Sequence, residues 1–192
     1  MIPGAALSTT PVPDPFVGGR ANRTTRLLDY EDGGLAIGDA SMGSQYQQWR
    51  CRLVGNDVIL DAANVAPVTI YSGTGITEIS FTFDQAMRHY LAFVQDGIAK
   101  LQWYDATLSQ VVVTSFGADV KTPRVFLDDK RLGQVASSDV ILAYIRLGQL
   151  CYRQQRDRFT IEYILDAGPH TGLHKVGMNS GGRLQFMFYR QG

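Results

Sequence analysis

The sequence lacks both a charge excess and a long apolar run, and the two absences narrow its classes of partner. Its 192 residues include 18 basic and 18 acidic side chains, which give a formal net charge of zero. A chain without a basic excess has no long-range field to attract nucleic acid or an anionic membrane. No apolar run reaches the ~18 residues of a membrane span, and the N-terminus lacks a basic region before an apolar core. We therefore expect no nucleic-acid partner, no membrane span and no secretory signal.

Cysteine is scarce, and the common catalytic motifs are missing. Cys51 and Cys151 both lie in strand-like patterns, and their separation of about 100 residues favours buried free thiols over a disulfide framework. No serine or cysteine lies in a nucleophile elbow, and no glycine-rich loop follows a strand and opens a helix. The sequence therefore predicts no catalytic residue and no cofactor.

Two polar pairs have the spacing of functional sites but favour structural interpretations. His170 and His174 are four residues apart, yet two glycines and a proline in this stretch oppose the helix that a metal site would need. Asp128 and Asp129 are adjacent, and neighbouring residues on a strand point to opposite faces. The aspartates therefore fit the end of a strand better than an acid–base pair, and we assign no metal site.

Helical periodicity is absent, and strand alternation takes its place. No amphipathic run of a dozen residues appears anywhere. In residues 77–84, Ile79, Phe81 and Phe83 alternate with polar residues, which predicts a strand with one buried face. Residues 140–145 are apolar at nearly every position, which predicts a strand covered on both faces.

The strand patterns recur at a period of about fifty residues, as the blades of a propeller do. Segments beginning at Thr77, Thr122 and Thr171 alternate in the same way, with a fainter relative from Thr25. A second pattern aligns LAFVQDGIAKLQWYD, from Leu91, with LAYIRLGQLCYRQQ, from Leu142. A weaker copy of it starts at Leu35, and GRLQFMFYR sets Leu184 against the same positions.

These repeats predict an all-β fold of four-stranded antiparallel units of about 50 residues, β-propeller-like in arrangement. The predicted units begin near Thr25, Thr77 and Thr122. Three units and a two-strand remnant make roughly three and a half blades, whereas closed propellers have about four to eight. Either the chain closes a small irregular propeller or sandwich alone, or further copies and neighbouring proteins complete it.

The N-terminal segment differs in composition from the rest. Residues 1–23 contain four of the seven prolines, separated by small polar residues. Such a composition favours an extended arm and opposes a central strand. The arm is either a disordered tail or a segment that orders on a neighbouring subunit. The β-repeat domain is predicted to span residues 24–192.

Six residues are candidates for contacts with other proteins. Arg153, Arg156 and Arg158 carry forked donors that suit carboxylates or sugar hydroxyls, although the pattern favours a solvated hairpin tip. The other three lie in the two-strand remnant and are predicted to bury against a neighbouring blade or subunit: Phe186, Phe188 and Tyr189. Because the remnant lacks third and fourth strands, its edge groups need partners.

The order EDGGLAIGDASMG, RLVGNDVILDA, GITEISFTFDQ, PRVFLDDKR and LCYRQQRDRFTIEY resembles virion structural proteins of tailed bacteriophages. The resemblance covers residues 27–165 and is most specific from DDKR to RQQRDR. It implies a non-enzymatic tail or neck protein, assembled in the host bacterial cytoplasm, that forms homo-oligomers and docks other tail, neck or fibre proteins. It assigns no individual functional residue.

A host-surface glycan-binding propeller is the alternative function. Sialidase-like propellers resemble this chain in blade rhythm, but they carry a Ser-x-Asp-x-Gly-x-Thr-Trp box that this sequence lacks. Trp49, Trp103 and Tyr104 are candidates for stacking on sugar rings, and burial in the strands is their other interpretation.

Overall fold

The fold is all-β throughout the part of the chain that the structure describes. The computed structural model describes residues 35–38, 47–62, 65–84, 88–128, 139–178 and 184–189. Within these ranges it contains fourteen strands, one 3-10 turn at Gln155–Asp157 and no α-helix. The predicted N-terminal arm and the faint repeat at Thr25 lie outside these ranges.

The strands form four antiparallel sheets in chain order. The first sheet contains β1 (Leu35–Gly38), β2 (Gln47–Val54), β3 (Asp57–Ala62) and β4 (Val65–Ser72). The second contains β5 (Ile76–Phe83), β6 (His89–Gln95), β7 (Ile98–Asp105) and β8 (Gln110–Gly117). The third contains β9 (Val120–Leu127), β10 (Val140–Arg146), β11 (Gln149–Gln154) and β12 (Tyr163–Asp166), and the fourth is the hairpin of β13 (Leu173–Met178) and β14 (Leu184–Phe188). Within each sheet, every strand pairs with the next along the chain, so four-stranded antiparallel units are confirmed for the first three sheets.

Two-residue turns set the register of the central hairpins. Asp96 and Gly97 join β6 to β7 with φ of 52° and 77°, and Leu147 and Gly148 join β10 to β11 with φ of 51° and 79°. Positive φ at both central residues is the geometry whose twist matches that of the flanking strands. Leu147 adopts the left-handed conformation although it lacks the conformational freedom of glycine, and its side chain is 82% exposed.

The repeat alignment is confirmed for three segments and wrong for one. Thr77 lies in β5, Thr122 in β9, and the segment from Thr171 leads into β13, so each introduces a sheet. Leu91, Leu142 and Leu184 all lie in the second strand of their sheet. Leu35 instead lies in β1, a first strand, and β2 occupies the second position. A Leu-Ala-apolar run fits any buried strand, so this short pattern did not distinguish the two positions.

Consecutive sheets pack face to face, with a hydrophobic core between each pair. The first core includes Cys51, Val58, Leu60, Ile79, Phe81, Phe83, Leu91 and Phe93. The second includes Tyr90, Ala92, Leu101, Trp103, Val125, Leu142, Tyr144 and Phe159. The third includes Phe126, Ile141, Ala143, Ile145, Leu150, Leu173 and Val176. The second and third sheets therefore contribute to a core on each face.

Strand β10 shows this two-sided burial most clearly. Val140, Leu142 and Tyr144 lie in the second core, whereas Ile141, Ala143 and Ile145 lie in the third. The continuous apolar run follows from this arrangement because neither face of the strand meets water. The sequence prediction for residues 140–145 is confirmed.

Strand β5 is buried more completely than its alternation predicted. Ile79, Phe81 and Phe83 lie in the first core as expected. Ser80 and Thr82, on the opposite face, are nevertheless buried as well, at 0% and 7% exposure. Ser80 Oγ accepts a hydrogen bond from the Val125 N–H in β9 at 3.0 Å. The Thr82 hydroxyl donates to the carbonyl oxygen of Phe83 in its own strand at 3.4 Å. The expectation of a single buried face was wrong because both side chains are buried with hydrogen-bond partners.

Both cysteines are buried free thiols, as the sequence predicted. Burial, with the nearby charge of Asp61, raises the pKa of Cys51 to about 12. Burial also raises the pKa of Cys151. Because the thiolate is the reactive form, neither residue is prepared for nucleophilic or redox chemistry at neutral pH.

Truncating Leu142 should destabilise the fold far more than truncating Leu147. Leu142 is fully buried in the second core, whereas Leu147 lies in the β10–β11 turn. We expect Leu142→Ala to lower the free energy of unfolding by about 2–5 kcal/mol, through lost burial and the remaining cavity. Leu147→Ala should change it by less than about 0.5 kcal/mol. Urea denaturation measures both, and equal effects would contradict the assigned packing.

Candidate interaction surface

The segment from Gln154 to Glu162 connects β11 to β12 and carries Arg156 and Arg158, whereas Arg153 lies in β11 just before it. It begins with the 3-10 turn Gln155–Asp157, which is followed by Arg158 and Phe159 at φ of 53° and 57°. Two consecutive residues with side chains in the left-handed region cost about 1–3 kcal/mol each. Contacts made by this segment must offset that cost.

Burial of Phe159 is the largest of these contacts. The side chain is 1% exposed and packs edge-to-face on Trp103 of β7, with ring centroids 5.2 Å apart. Its ring also lies 6.2 Å from that of Tyr90 in β6. A buried phenylalanine contributes about 1.5–3 kcal/mol, and an aromatic pair adds about 0.5–1.5 kcal/mol. Phe159 thus fastens a loop of the third sheet into the second.

Gln155 forms a polar link beside Phe159. Its Nε2 donates to the Tyr90 hydroxyl at 2.8 Å, and its Oε1 accepts from the Val140 N–H at 3.1 Å. The amide therefore connects β6 of the second sheet with β10 of the third. Burial and the charge of Asp84 raise the pKa of Tyr90, so the hydroxyl stays protonated at neutral pH.

Arg153 is directed onto its own loop. Its Nη1 donates to the carbonyl oxygens of Phe159 and Thr160 at 2.9 and 3.0 Å, and its Nε donates to the Tyr144 hydroxyl at 2.7 Å. The guanidinium also lies over the Phe116 ring, 5.3 Å from its centroid. With its side chain 18% exposed, Arg153 holds the loop in place. Its predicted role at an interface stays a prediction.

Arg156 and Arg158 lie on the surface, and each is held by a carboxylate below it. Arg156 pairs with Asp139 and Arg158 pairs with Asp105. The arginine side chains are 59% and 50% exposed, whereas the two aspartates are 12% and 3% exposed. Each guanidinium is therefore fixed from beneath and keeps donors directed at solvent, the arrangement that suits a partner's carboxylates.

The sequence reasoning missed the acidic partners of these arginines. Asp105 ends β7 and Asp139 precedes β10, far from the arginines along the chain. Glu162, which directly precedes β12, is another such carboxylate. It accepts hydrogen bonds from Arg146 of β10 at 3.0 Å and from the Tyr144 hydroxyl at 2.6 Å. No local pattern signals such pairs, because they arise only when neighbouring strands and sheets meet.

The electrostatics of these carboxylates favour the charged form. Burial alone raises the pKa of Asp105, but hydrogen bonds from Arg158 and the Thr107 and Leu108 N–H groups lower it overall. Burial likewise opposes ionisation of Glu162, yet the Tyr144 hydroxyl and the charge of Arg146 lower its pKa. Both carboxylates are consequently ionised at neutral pH.

The fourth sheet carries the three aromatic candidates and consists of two strands within the described residues. Phe186 packs edge-to-face on Phe126 of β9, with centroids 6.2 Å apart. Phe188 stacks on His170 at 3.9 Å and 8°. Both phenylalanines are half-buried against the third sheet, so the predicted packing on a neighbouring unit occurs within the chain.

The opposite face of this hairpin is open. Met187 is 40% exposed and Tyr189 is 49% exposed. Tyr189 also lies beside His174, whose Nδ1 is 3.3 Å from the tyrosine hydroxyl. The six candidates therefore occupy two regions. Arg156 and Arg158 lie in the β11–β12 loop and Arg153 lies in β11 beside it, whereas Phe186 and Phe188 lie in β14 and Tyr189 directly follows it.

The histidine pair does not converge on a common point. His170 stacks on Phe188 and approaches Asp166 at 3.4 Å, whereas His174 contacts Tyr189. Among the described residues, no group of three or more histidine, cysteine, aspartate or glutamate side chains has the arrangement of a metal site. Asp128 lies next to the end of β9, as predicted, and Asp129 lies outside the described ranges.

The candidate sugar-stacking aromatics differ in exposure. Trp103 is 5% exposed in the second core, and its Nε1 donates to Thr114 Oγ1 at 3.0 Å. Trp49 is half-buried and packs edge-to-face on Phe83 at 5.6 Å. Tyr104 is half-buried beneath the guanidinium of Arg88, which lies 4.7 Å from its ring centroid.

No protein-family model, no curated protein and no solved structure matches the chain. In the described ranges, no helix has the length and apolar character needed to cross a membrane.

Acidification should weaken the contact between the second and third sheets. Because the folded pKa of Asp105 lies below its unfolded value of about 4, the contribution of its pair with Arg158 is present above about pH 4 and is lost as the pH falls through the folded pKa. We expect Asp105→Asn to lower the urea midpoint at pH 7 and to reduce the further loss between pH 7 and pH 3. Asp96→Asn, in an exposed turn, is the matched control. Equal pH dependence in wild type and Asp105→Asn would contradict this assignment.

Proposed function

We propose that the chain is a non-enzymatic structural component of a tailed-phage virion. In this role it forms homo-oligomers and docks other tail, neck or fibre proteins. The observation that carries the proposal is the two-stranded fourth sheet, whose edge strand β14 ends the series of sheets with an open face. The resemblance of residues 27–165 to such virion proteins supplies the biological setting.

The stacking of the sheets supports a β-propeller-like arrangement with an incomplete last blade. Successive sheets share cores, and the first strands β1, β5, β9 and β13 lie against one another in sequence. In a propeller, blades pack face to face around their innermost strands in the same way. Strands from a neighbouring protein are the natural completion of the fourth sheet, because β14 pairs with β13 alone among the described strands.

The surface arginines support docking by a second type of contact. Arg156 and Arg158 are each held by a buried carboxylate and keep exposed donors. Preordered guanidinium groups lose little side-chain entropy when they bind a carboxylate. We propose that they orient a docking partner, whereas the hydrophobic contact is made at β14.

Host-glycan binding has weaker structural support. A sugar-binding platform needs an aromatic face open to solvent, and Trp103 is enclosed in the second core. Tyr104 is covered on one side by Arg88. Binding of the pure protein to a glycan array would favour this alternative over docking.

The virion role is tested by composition of the particle. Mass spectrometry of purified particles from the phage that encodes this chain should detect it at a fixed stoichiometry to other tail proteins. Imaging of the same particles with a labelled chain should place it in the tail or neck. Its absence from purified particles, or turnover of a glycoside by the pure protein, would overturn the proposal.

Met187→Glu should impair incorporation without unfolding the chain. Met187 is exposed on the open face of the fourth sheet, so a charge there disturbs a docked partner and leaves the cores intact. We expect incorporation to fall about tenfold, the factor given by ~1.4 kcal/mol of lost docking energy. Leu147→Glu, in an exposed turn of the third sheet, is the control. Quantitative particle reconstitution measures both, and normal incorporation of Met187→Glu would exclude this face as the docking surface.

A further inference from the structure

Strand β8 forms the outer edge of the second sheet and has an unpaired side. It spans Gln110–Gly117 and pairs with β7 alone among the described strands. In an antiparallel ladder, alternate residues direct both backbone groups to the same neighbour. About four of the eight residues of β8 therefore direct their N–H and C=O groups outward.

The composition of β8 offers no protection against strand pairing. Its sequence, QVVVTSFG, contains no charged residue and no proline. Val111 and Val113 are 50% and 47% exposed on one face. Exposed edge strands are normally blunted by charges, prolines, bulges or short length, and a long uncharged edge is a ready template for another strand.

The outer strands of the other two four-stranded sheets carry such protection. Strand β4 contains Pro67 and pairs with β3 through two shifts of register. Strand β12 has four residues, ends in Asp166 and contains a shift. The shift between β7 and β8 lies near the end of β8, at Ser115 and Gly117, and leaves the central residues regular. Among these three edge strands, β8 is the one without a feature that would obstruct pairing with another strand.

Contacts behind β8 hold this edge in position. Thr114 accepts a hydrogen bond from Trp103 Nε1 at 3.0 Å. The Phe116 ring stacks on Tyr144 of the third sheet, with centroids 6.4 Å apart, and lies beneath Arg153. An edge that is already ordered loses little conformational entropy when a second strand adds to it.

We propose that β8 pairs with β8 of a second copy of this chain in an antiparallel, two-fold register centred on Val113. In that register Val113 lies opposite the partner subunit's Val113, and Val111 lies opposite the partner subunit's Ser115. In a two-fold interface the same surface patch of both copies meets. A charged strand is disfavoured there because like charges would lie opposite each other. Strand β8 meets this condition because it is uncharged, and the pairing joins the two second sheets into one eight-stranded sheet.

This pairing depends on β8 alone and not on the virion role. The fourth sheet, proposed for docking, lies against the third sheet, whereas β8 closes the second. Failure of the dimer would therefore leave docking through β14 intact, and absence from particles would leave the dimer intact.

Sedimentation of the full chain and two lysine variants tests the pairing. The wild type should sediment as a dimer at micromolar concentrations. Val113→Lys should weaken association at least about tenfold because the two lysines would face each other, with an unchanged β-sheet circular dichroism spectrum. Val68→Lys, at an equally exposed valine of the first sheet, should remain dimeric. A wild type that is monomeric at ~100 μM, or a Val113→Lys variant that dimerises as tightly as wild type, would overturn the proposal.

Crosslinking tests the register. In the proposed pairing, Val113→Cys places two thiols on directly opposite residues, at Cα separations of about 4.5–5.5 Å that a disulfide spans. Val111→Cys places them roughly 13 Å apart, beyond disulfide reach. Both native cysteines are buried, so mild oxidation should give a covalent dimer for Val113→Cys and none for wild type or Val111→Cys. Equal crosslinking of the two variants, or capture of an uncharged strand from another protein in place of the second copy, would overturn the proposal.

Discussion

Burial of the second and third sheets on both faces is the constraint on which the rest of the structure depends. Strand β10 gives Leu142 to one core and Ile145 to the next, so the third sheet packs against both of its neighbours. The constraint also places polar groups between sheets. The buried Ser80 hydroxyl accepts from the Val125 N–H, and the buried Arg124 guanidinium pairs at 3.2 Å with Glu78, whose side chain is partly exposed.

Face-to-face stacking covers the faces of the sheets and leaves their edges exposed. Strands β8 and β14 illustrate the two consequences: one is a long uncharged edge, and the other ends a sheet that has two strands within the described residues. Backbone groups at such edges can form hydrogen bonds with a further strand. The proposed role in assembly rests on this geometry.

The loop after β11 shows how core packing positions two surface arginines. Phe159 enters the second core at the expense of two left-handed residues, and this places Arg158 over Asp105. The loop is thereby locked from below while its guanidinium groups face solvent. Arg153 has the same chemistry but a different position, since its donors are turned onto the loop's own carbonyl groups.

Local patterns in the sequence determined the strands, the four-stranded units and the two-sided burial of residues 140–145, because alternation and turn residues act between near neighbours in the chain. The two strands of the C-terminal unit were predicted for the same reason. Only the tertiary structure decided that Ser80 is buried, that Leu35 lies in a first strand, and which carboxylates hold Arg156 and Arg158. These features depend on which sheets meet and at what register, and a side chain's own sequence neighbours carry no information about the groups that approach it from another sheet.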